Sequence, residues 1–460
     1  MSSRRAVSRA SGQLVSGLCL VLLLVAASSA TAQSGADGVE ADGLSAVSRL
    51  SAWAAGGWQL DHGDSGPVWS AAASAEVRLP DTSVTMGRGR LAPSPPVAWG
   101  GGQAGGAGGS QNGVGMSNSS FSGYMDFHFN NREHEDPVVD FHRFVLLFTH
   151  RFSDRVRFVS ELELEHSLVG EDAEGELELE QAFIDFLVTR ELNFRAGMLL
   201  VPMGIINERH EPPVFHGVER PFVDDVILPT TWFDAGAGIH GEIGQGLRYR
   251  TYVMAPLDAS GFTADQGIRD GRQKGAESTV RNIATTGRVE YVGLPGLWTG
   301  ASFWRGKTGF AFPRIESRVT VGEVDARYRV GELEARAQYA HVWLDGMGEL
   351  NRALRFANQP GANIAREIRG FYVEASYFVL PNPAPREAAV FVRYENFDTQ
   401  YRMPTGFQRL QQFDRDAWVV GFSYYPDPDV VLKLDYSVVR NQSGIIDEPN
   451  SLNVGLGWWF

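Results

Sequence analysis

The feature that most constrains this chain is a series of short segments, from residue 118 to the C-terminus, in which polar and apolar residues alternate. In LRYRTYV, residues 247–253, Arg248 and Arg250 alternate with uncharged residues. A period of two predicts β-strands, because successive side chains of a strand point to opposite faces. A charge at every second position requires one wet face. Either a soluble sandwich or a membrane barrel with an aqueous lumen supplies such a face.

The links between these segments distinguish the two architectures. Short links, such as GQG from Gly244 and PDPD from Pro426, alternate with links that are mostly longer. The longer links are predicted at residues 202–233, 258–279, 307–317, 345–366, 400–414 and 441–450. Short periplasmic turns at one end and long extracellular loops at the other are typical of outer-membrane barrels. We therefore predict an all-β fold, a closed antiparallel transmembrane β-barrel of about 16 strands.

The C-terminal segment SLNVGLGWWF alternates up to the last residue of the chain. Its apolar face includes Leu456, Trp458 and Phe460, and its other face is small and polar. We expect this strand to pair with the first strand, so that the sheet has no free edge. The ending resembles the terminal signal of bacterial outer-membrane proteins. The resemblance implies that the barrel assembly machinery recognises Leu456, Trp458 and Phe460.

The N-terminal part of the chain predicts export. Three arginines precede an apolar run at residues 14–27, and an A-x-A sequence follows, which is the pattern of a secretory signal peptide over residues 1–32. The single cysteine, Cys19, lies within this peptide, so we expect no disulfide or thiol chemistry in the mature chain. Residues 33–117 are glycine-rich and predict a disordered segment and linker ahead of a barrel domain at residues 118–460.

Charge and motif content narrow the possible functions. The formal net charge of −14 argues against general nucleic-acid binding. The sequence contains no G-x-S-x-G, P-loop or dinucleotide fingerprint, and no H-E-x-x-H or Cys/His spacing typical of a metal site. We therefore predict no catalytic residue, no cofactor and no metal site. A barrel enzyme that hydrolyses lipid or peptide and a non-conducting structural barrel are the alternatives to a channel.

Basic residues at the predicted lumen-facing positions are candidates for lining a pore. They are Arg195, Arg248, Arg250, Arg288, Arg327, Arg329 and Arg336. Acidic residues at lumen-facing positions nearly balance the basic ones, and Glu161, Glu163 and Glu165 form a stripe on one strand. Separated signs would produce a transverse field across the lumen. Alternatively, neighbouring opposite charges form cross-strand pairs that stiffen the wall.

The longest predicted link, residues 202–233, contains the candidates for a constriction loop. They are Glu208, Arg209, His210, Glu211, Glu219, Arg220, Asp224 and Asp225. A loop of this length usually has a function, and inside the lumen its acids would oppose the arginines of the wall. The alternative is a loop that its own salt bridges and its four prolines hold in place.

Three stretches resemble the phosphate-selective porin O and P family: EGELELEQAFIDF from Glu174, NFRAGMLLVPMGIINERHEPPVFHGVERP from Asn193, and LPTTWFDAGAGIHGEI from Leu228. The resemblance implies a sixteen-stranded porin, usually a homotrimer, with the third long loop folded into the pore. Phosphate-specific members of that family depend on a cluster of pore lysines. This chain departs from that pattern, since its lysines are only Lys274, Lys307 and Lys433.

These observations together predict a channel of the bacterial outer membrane for passive diffusion of small hydrophilic solutes and ions, including anions such as phosphate. We expect a general porin whose preference among ions is modest and, if present, weakly anionic. The expected partners are outer-membrane lipids, the barrel assembly machinery, the solutes themselves and two further copies of the chain in a homotrimer. We expect no nucleic-acid partner.

Overall fold

A computed structural model describes residues 118–170, 175–308, 312, 314–356, 359–380 and 386–460. The predicted signal peptide and the glycine-rich segment lie outside the described residues. No helix among the described residues is long and apolar enough to cross a membrane.

The described residues form one closed antiparallel barrel, in which each strand pairs with its neighbours in sequence and β16 pairs with β1. The strands are β1 (Ser119–Arg132), β2 (Val138–Ser153), β3 (Val156–Glu165), β4 (Leu177–Leu187), β5 (Asn193–Leu200), β6 (Phe233–Ile243), β7 (Leu247–Met254), β8 (Ala284–Tyr291), β9 (Leu297–Lys307), β10 (Arg318–Val330), β11 (Leu333–Asp345), β12 (Glu367–Phe378), β13 (Glu387–Arg402), β14 (Asp414–Asp427), β15 (Val430–Asn441) and β16 (Ser451–Trp459). The predicted sixteen-stranded transmembrane barrel is confirmed.

The two faces of the wall differ as the alternation predicts. On β15, Leu432 and Leu434 are 43% and 46% exposed on the outer face, whereas Lys433 and Asp435 are 4% and 3% exposed on the inner face. Exposed aliphatic side chains around a closed barrel match a lipid-facing band, and the enclosed polar residues line the lumen. The same alternation sorts β16, where Leu452 and Val454 face outward.

The last strand closes the barrel through its final residue. Gly123 and Phe460 exchange two backbone hydrogen bonds of 2.9 Å, and Met125 lies opposite Trp458 in the register. The Phe460 ring stacks on Phe144, with 6.0 Å between ring centroids. The aromatic ending is therefore part of the closing seam, which leaves neither β1 nor β16 with a free edge.

The links confirm the predicted sorting by length. Only two residues separate β2 from β3, β10 from β11 and β14 from β15. The longest links at the other end are residues 201–232 and 255–283, and the link from β11 to β12 carries the short helix α1 (Met347–Ala353).

The inner face is not polar along its whole length. Towards the end with long loops, Val319 and Val321 on β10 and Val342 on β11 point inward and are fully buried. They belong to one hydrophobic cluster with residues of the links, including Met203, Val226 and Trp232. The inward face there is apolar because chain, rather than water, covers it.

Candidate functional site

Residues 201–232, here called the lumen segment, run from β5 to β6 through the interior of the barrel. The backbone N–H of Ile205 donates to Gln338 Oε1 on β11 at 2.9 Å. The N–H of Val223 donates to Glu395 on β13 at 3.0 Å, and the N–H of Val218 donates to Asp435 on β15 at 2.6 Å. These partners lie on the wall far from β5 and β6, so the segment crosses the lumen.

Two kinds of interaction hold the lumen segment in place. Its apolar side chains join the hydrophobic cluster, and Trp232 packs on Trp304 of β9 with 5.3 Å between ring centroids. Burying each large apolar side chain stabilises the packed state by about 1.5–3 kcal/mol. Wall side chains also bind its backbone: Arg336 Nη1 donates to the carbonyl of Val214 at 3.0 Å, and Lys433 Nζ donates to that of Gly217 at 2.7 Å.

The next long link packs against the lumen segment, which the sequence pattern does not predict. Arg269 Nη1 donates to the carbonyl of Thr230 at 2.7 Å, and Arg272 Nη1 donates to that of Pro229 at 3.2 Å. Arg269 also pairs with Asp225 Oδ1 at 2.7 Å. Two arginines in a link outside the predicted loop therefore fasten the segment, and the sequence carries no periodic signal that would have identified them.

Each of the seven predicted pore arginines has a carboxylate within 3.5 Å. The pairs are Arg195–Asp185 (2.7 Å), Arg248–Glu242 (3.3 Å), Arg250–Glu208 (2.6 Å), Arg288–Asp325 (2.6 Å), Arg327–Glu334 (2.9 Å), Arg329–Glu387 (3.5 Å) and Arg336–Glu334 (2.7 Å). These contacts favour the interpretation in which opposite charges pair along the wall. The strands β7–β11, with Arg248, Arg250, Arg288, Arg327, Arg329 and Arg336, are here called the arginine arc.

A glycine makes one of these pairs possible. Arg288 on β8 reaches across β9 to Asp325 on β10, and two of its nitrogens donate to the two carboxylate oxygens at 2.6 and 3.0 Å. Gly300 on β9 lies beneath the guanidinium, and a Cβ at that position would come within 2.3 Å of Arg288 Nη2. The absence of a side chain at Gly300 thus opens the path for a bidentate pair between strands that are not neighbours.

The acidic residues of the lumen segment have different kinds of partner. Glu208 binds Arg250 of the arc at 2.6 Å, whereas Glu219 contacts His128 and Asn130 on β1, at 3.1 and 2.8 Å. The sequence prediction treats these acids as one group opposing the arginine wall. Within the described part of the chain, Glu208 is the member of that group that pairs with a predicted pore arginine.

The acids at positions 211 and 224 of the lumen segment have pKa values that burial raises. Asp224 Oδ1 accepts from Gln338 Nε2 at 2.8 Å, and burial raises the pKa of Asp224 to about 7. Burial also raises the pKa of Glu211, whose Oε2 has no hydrogen-bond partner among the described residues.

The cationic residues of the lumen segment contact different parts of the barrel wall. Arg209 lies over the Trp298 ring, with its Cζ 3.6 Å from the ring centroid, and pairs with Glu290 at 3.5 Å. Burial lowers the pKa of Arg209 to about 10. His210 points the other way and lies 3.1 Å from Glu180 Oε2, while Arg220 donates to Thr231 Oγ1 at 3.1 Å.

The acidic stripe is larger than the sequence indicates. Glu161 and Glu163 on β3 are 3% and 1% exposed on the inner face, and Glu180 on β4 joins them at 1% exposed. A β-bulge re-aims Glu180: Glu161 pairs with Gln181 and Leu162 pairs with Leu179, so Glu180 has no partner in the register. The repeating Glu/Leu pattern of β4 is a signal for a strand, but it does not reveal the bulge. We call Glu161, Glu163, Glu165, Glu178 and Glu180 the glutamate stripe.

Comparison with known proteins places the chain among outer-membrane barrels. The model of the phosphate-selective porin O and P family matches residues 115–444. An uncharacterized protein from Aquifex aeolicus (strain VF5) is 31% identical over 350 residues, which cover 74% of this chain and 80% of that protein. Among solved structures, OmpF of Salmonella typhi in complex with daunomycin is 12% identical, with 74% of this chain and 97% of that chain covered and a TM-score of 0.51. An anion-selective porin from Comamonas acidovorans is 12% identical, with coverage of 74% and 99% and a TM-score of 0.48.

Proposed function

We propose that this chain, which belongs to the phosphate-selective porin O and P family and is an outer-membrane channel for small hydrophilic solutes, conducts through a charge-balanced lumen with only a weak preference for anions. The carrying observation is that every predicted pore arginine lies within 3.5 Å of a carboxylate. A paired charge acts on a passing ion mainly as a dipole, whose field falls off faster than that of a single charge. The wall therefore favours neither sign strongly.

The positions of the lysines support a general porin over a phosphate-specific one. Lys433 on β15 is committed to the carbonyl of Gly217 and lies over the Phe215 ring, with Nζ 3.8 Å from the centroid. Lys274 lies in the link 255–283 and pairs with Glu176 at 2.8 Å. Lys307 ends β9. These three cations bind separate partners or lie on separate elements, and do not form a cluster that would recognise phosphate.

The lumen segment is the proposed constriction, and the pair of Glu208 and Arg250 is its most direct contact with the arginine arc. The two side chains meet at 2.6 Å, and Arg250 also contacts Glu290 at 3.0 Å. Low-dielectric walls concentrate the field at the narrowest part of a pore, so these charges should influence ion selectivity more than charges on the outer loops.

Reconstitution in planar bilayers tests the proposal. We expect stepwise ion conductance with a reversal potential close to zero in a salt gradient, displaced slightly in the direction of anions. A strongly displaced reversal potential would contradict the charge-balanced lumen. Saturable block of the current by millimolar phosphate would instead support a phosphate-specific channel.

We propose that the channel acts without catalysis. Conductance should then need no substrate turnover. A barrel that is silent in bilayers but hydrolyses lipid or peptide would favour the alternative of a barrel enzyme, and a barrel that does neither would favour a structural role.

Our proposal for the assembly of the protein rests on its resemblance to the family. We propose a homotrimer in outer-membrane lipid, inserted by the barrel assembly machinery, which recognises Leu456, Trp458 and Phe460 after removal of the signal peptide 1–32. Cross-linking of the native membrane should yield trimers. Deletion of Phe460 should lower the amount of chain in the outer membrane, whereas substitution of an outer-loop residue such as Ile445, which is 90% exposed, should not.

A further inference from the structure

Three side chains that are remote in sequence converge where the lumen segment meets the wall. Nε2 of His210 lies 3.1 Å from Glu180 Oε2 and 3.7 Å from Glu161 Oε1. One ligand atom from each of the three residues lies within 4.8 Å of the other two. All three residues are buried, with exposed fractions of 2%, 1% and 3% for His210, Glu180 and Glu161.

The hydrogen bond at the other side of the imidazole fixes its orientation. Nδ1 of His210 lies 3.2 Å from the backbone carbonyl oxygen of Asn207, which can only accept. Nδ1 therefore carries a proton, and Nε2 is the nitrogen that faces the two carboxylates. An imidazole that donates one N–H to a backbone carbonyl and directs its other nitrogen at carboxylates is the arrangement seen in metal-ligating histidines.

Hydrogen bonds from two neighbouring side chains also orient the carboxylate of Glu161. Tyr124 Oη donates to Glu161 Oε1 at 3.2 Å, and Gln181 Nε2 donates to Glu161 Oε2 at 2.5 Å. Tyr124 is completely buried. Hydrogen bonds of this kind hold a ligating carboxylate in one rotamer and leave lone pairs for a cation.

The local charge favours a cation. Glu163 lies on the same inward face of β3 as Glu161, is 1% exposed, and is near enough to Glu180 for the two carboxylates to repel each other. Glu163 Oε1 is 3.7 Å from Arg143 Nη1, and its Oε2 is buried without a hydrogen-bond partner within the part of the chain that the structure describes. Arg143 and Arg220 face these carboxylates, and Arg143 is shared with Asp126 at 3.3 Å. With a neutral imidazole, the three carboxylates still exceed the two guanidinium charges by one, and a divalent ion would offset that excess.

We propose that Glu161, Glu180 and His210 bind a divalent first-row transition-metal ion that fastens the lumen segment to the β3–β4 wall. One imidazole nitrogen and two carboxylate oxygens form a ligand set that suits Zn²⁺ and similar ions, and three protein ligands leave a position for water. With bonds of roughly 2.1 Å, tetrahedral ligands lie about 3.4 Å apart. The distances of 3.1 and 3.7 Å from His210 Nε2 lie on either side of that value.

A second group at the outer ends of β2 and β3 serves as the competing site in a test. Asp140 Oδ2 lies 3.1 Å from His142 Nδ1 and 2.9 Å from His166 Nδ1. Arg143 Nη2 lies 2.6 Å from His142 Nε2 and can only donate to it, so the proton of His142 is on Nδ1, the nitrogen that a metal would need. This group is therefore the weaker candidate, and His166→Asn provides a matched control.

The experiment measures metal uptake by the full chain refolded in detergent from metal-free urea, with Zn²⁺ as the probe and heat-modifiable migration as the check of folding. We expect one Zn²⁺ per folded chain by elemental analysis after dialysis. Glu180→Gln and His210→Gln should each weaken binding by at least roughly tenfold, and His166→Asn should leave it unchanged. Co²⁺ in place of Zn²⁺ should give a visible absorption band that His210→Gln removes.

Each other outcome overturns the proposal. If the folded wild-type chain takes up no Zn²⁺ above the level of Glu180→Gln, the three residues form a protonated ion pair and no metal site. If His166→Asn removes binding while Glu180→Gln keeps it, the ion binds at the outer mouth. Glu180→Gln and His210→Gln remove different ligands of the same site, so whichever of them folds decides the comparison with the wild type, and neither result depends on the ion preference of the channel.

Discussion

The arginine arc and the glutamate stripe both line the lumen, but they neutralise their charges in different ways. In the arc, arginines and carboxylates alternate on adjacent strands, and Glu334 alone binds both Arg327 and Arg336, at 2.9 and 2.7 Å. In the stripe, successive inward positions of β3 and β4 carry the same sign. Its cations come from elsewhere: His210 of the lumen segment binds Glu180, and Lys274 of the link 255–283 binds Glu178.

The difference shows what the lumen segment contributes to each wall. The arc is neutralised largely by its own strands, with Glu208 as an addition. The stripe takes one cation, Arg143, from the neighbouring strand β2 and otherwise depends on groups that the links bring to it. Its remaining negative charge is where we place a metal ion. The lumen segment thus adds one carboxylate, Glu208, to an arc that is already largely paired, and it supplies the stripe with a cation, His210, that the stripe lacks.

Removing the lumen segment should have the largest effect. Replacing residues 206–230 with a short glycine-serine linker should raise single-channel conductance several-fold, because the segment crosses the lumen and is mostly buried within it. The stripe would also lose His210 and Arg220, so ion preference should shift to cations. Bilayer recordings measure both, and shortening the outer link 442–450 is the control. Unchanged conductance would show that the segment does not limit the pore.

Substitutions in the two walls should change the free energy of unfolding in opposite directions. Arg288→Ala in the arc leaves Asp325 buried without its bidentate partner, which should lower the free energy of unfolding by about 3–5 kcal/mol. Glu163→Gln in the stripe removes one of several clustered like charges and should change it by less than about 1 kcal/mol, in the stabilising direction. Urea titration in detergent, followed by tryptophan fluorescence, compares them. Equal losses would mean that the two walls are neutralised alike.

Asp224 differs from the paired carboxylates of the arc, because its hydrogen-bond partner on β11 is the neutral Gln338 and not an arginine. Burial raises its pKa from 3.8 to about 7, so the folded chain holds a proton there that the unfolded chain releases. The folded state should therefore lose stability as the pH rises from about 4 to about 7, by about 4 kcal/mol. Asp224→Asn should remove this part of the pH dependence. Identical slopes for variant and wild type in urea titrations would contradict the assignment.

The smallest expected effect is on selectivity. Replacing Arg248 and Arg250 together with alanine should move the reversal potential modestly in the direction of cations, because Glu208, Glu242 and Glu290 lose partners. Glu208→Gln should move it in the opposite direction. If neither variant changes the reversal potential in a salt gradient, this pair of strand positions does not lie at the constriction.

The sequence by itself determined the barrel. Alternation is a local property of a strand, so it assigns Lys433 and Asp435 to one face and Leu432 and Leu434 to the other without reference to any partner strand. Sorted link lengths indicated closure in a membrane, and the apolar ending through Phe460 indicated which strand closes it. The same parity argument placed the seven predicted pore arginines on the inner face.

Only the tertiary structure decided which groups meet inside. The partner of an arginine depends on strand register and on what lies between, as with Gly300 beneath Arg288. The path of the lumen segment depends on an apolar patch of the inner wall. The strands that form this patch have the same period of two as the strands with polar inner faces, so the period does not distinguish them. The meeting of Glu161, Glu180 and His210 needed both a β-bulge and a loop crossing. These are long-range contacts, which a local period cannot encode, because the positions they join are related by folding and not by spacing along the chain.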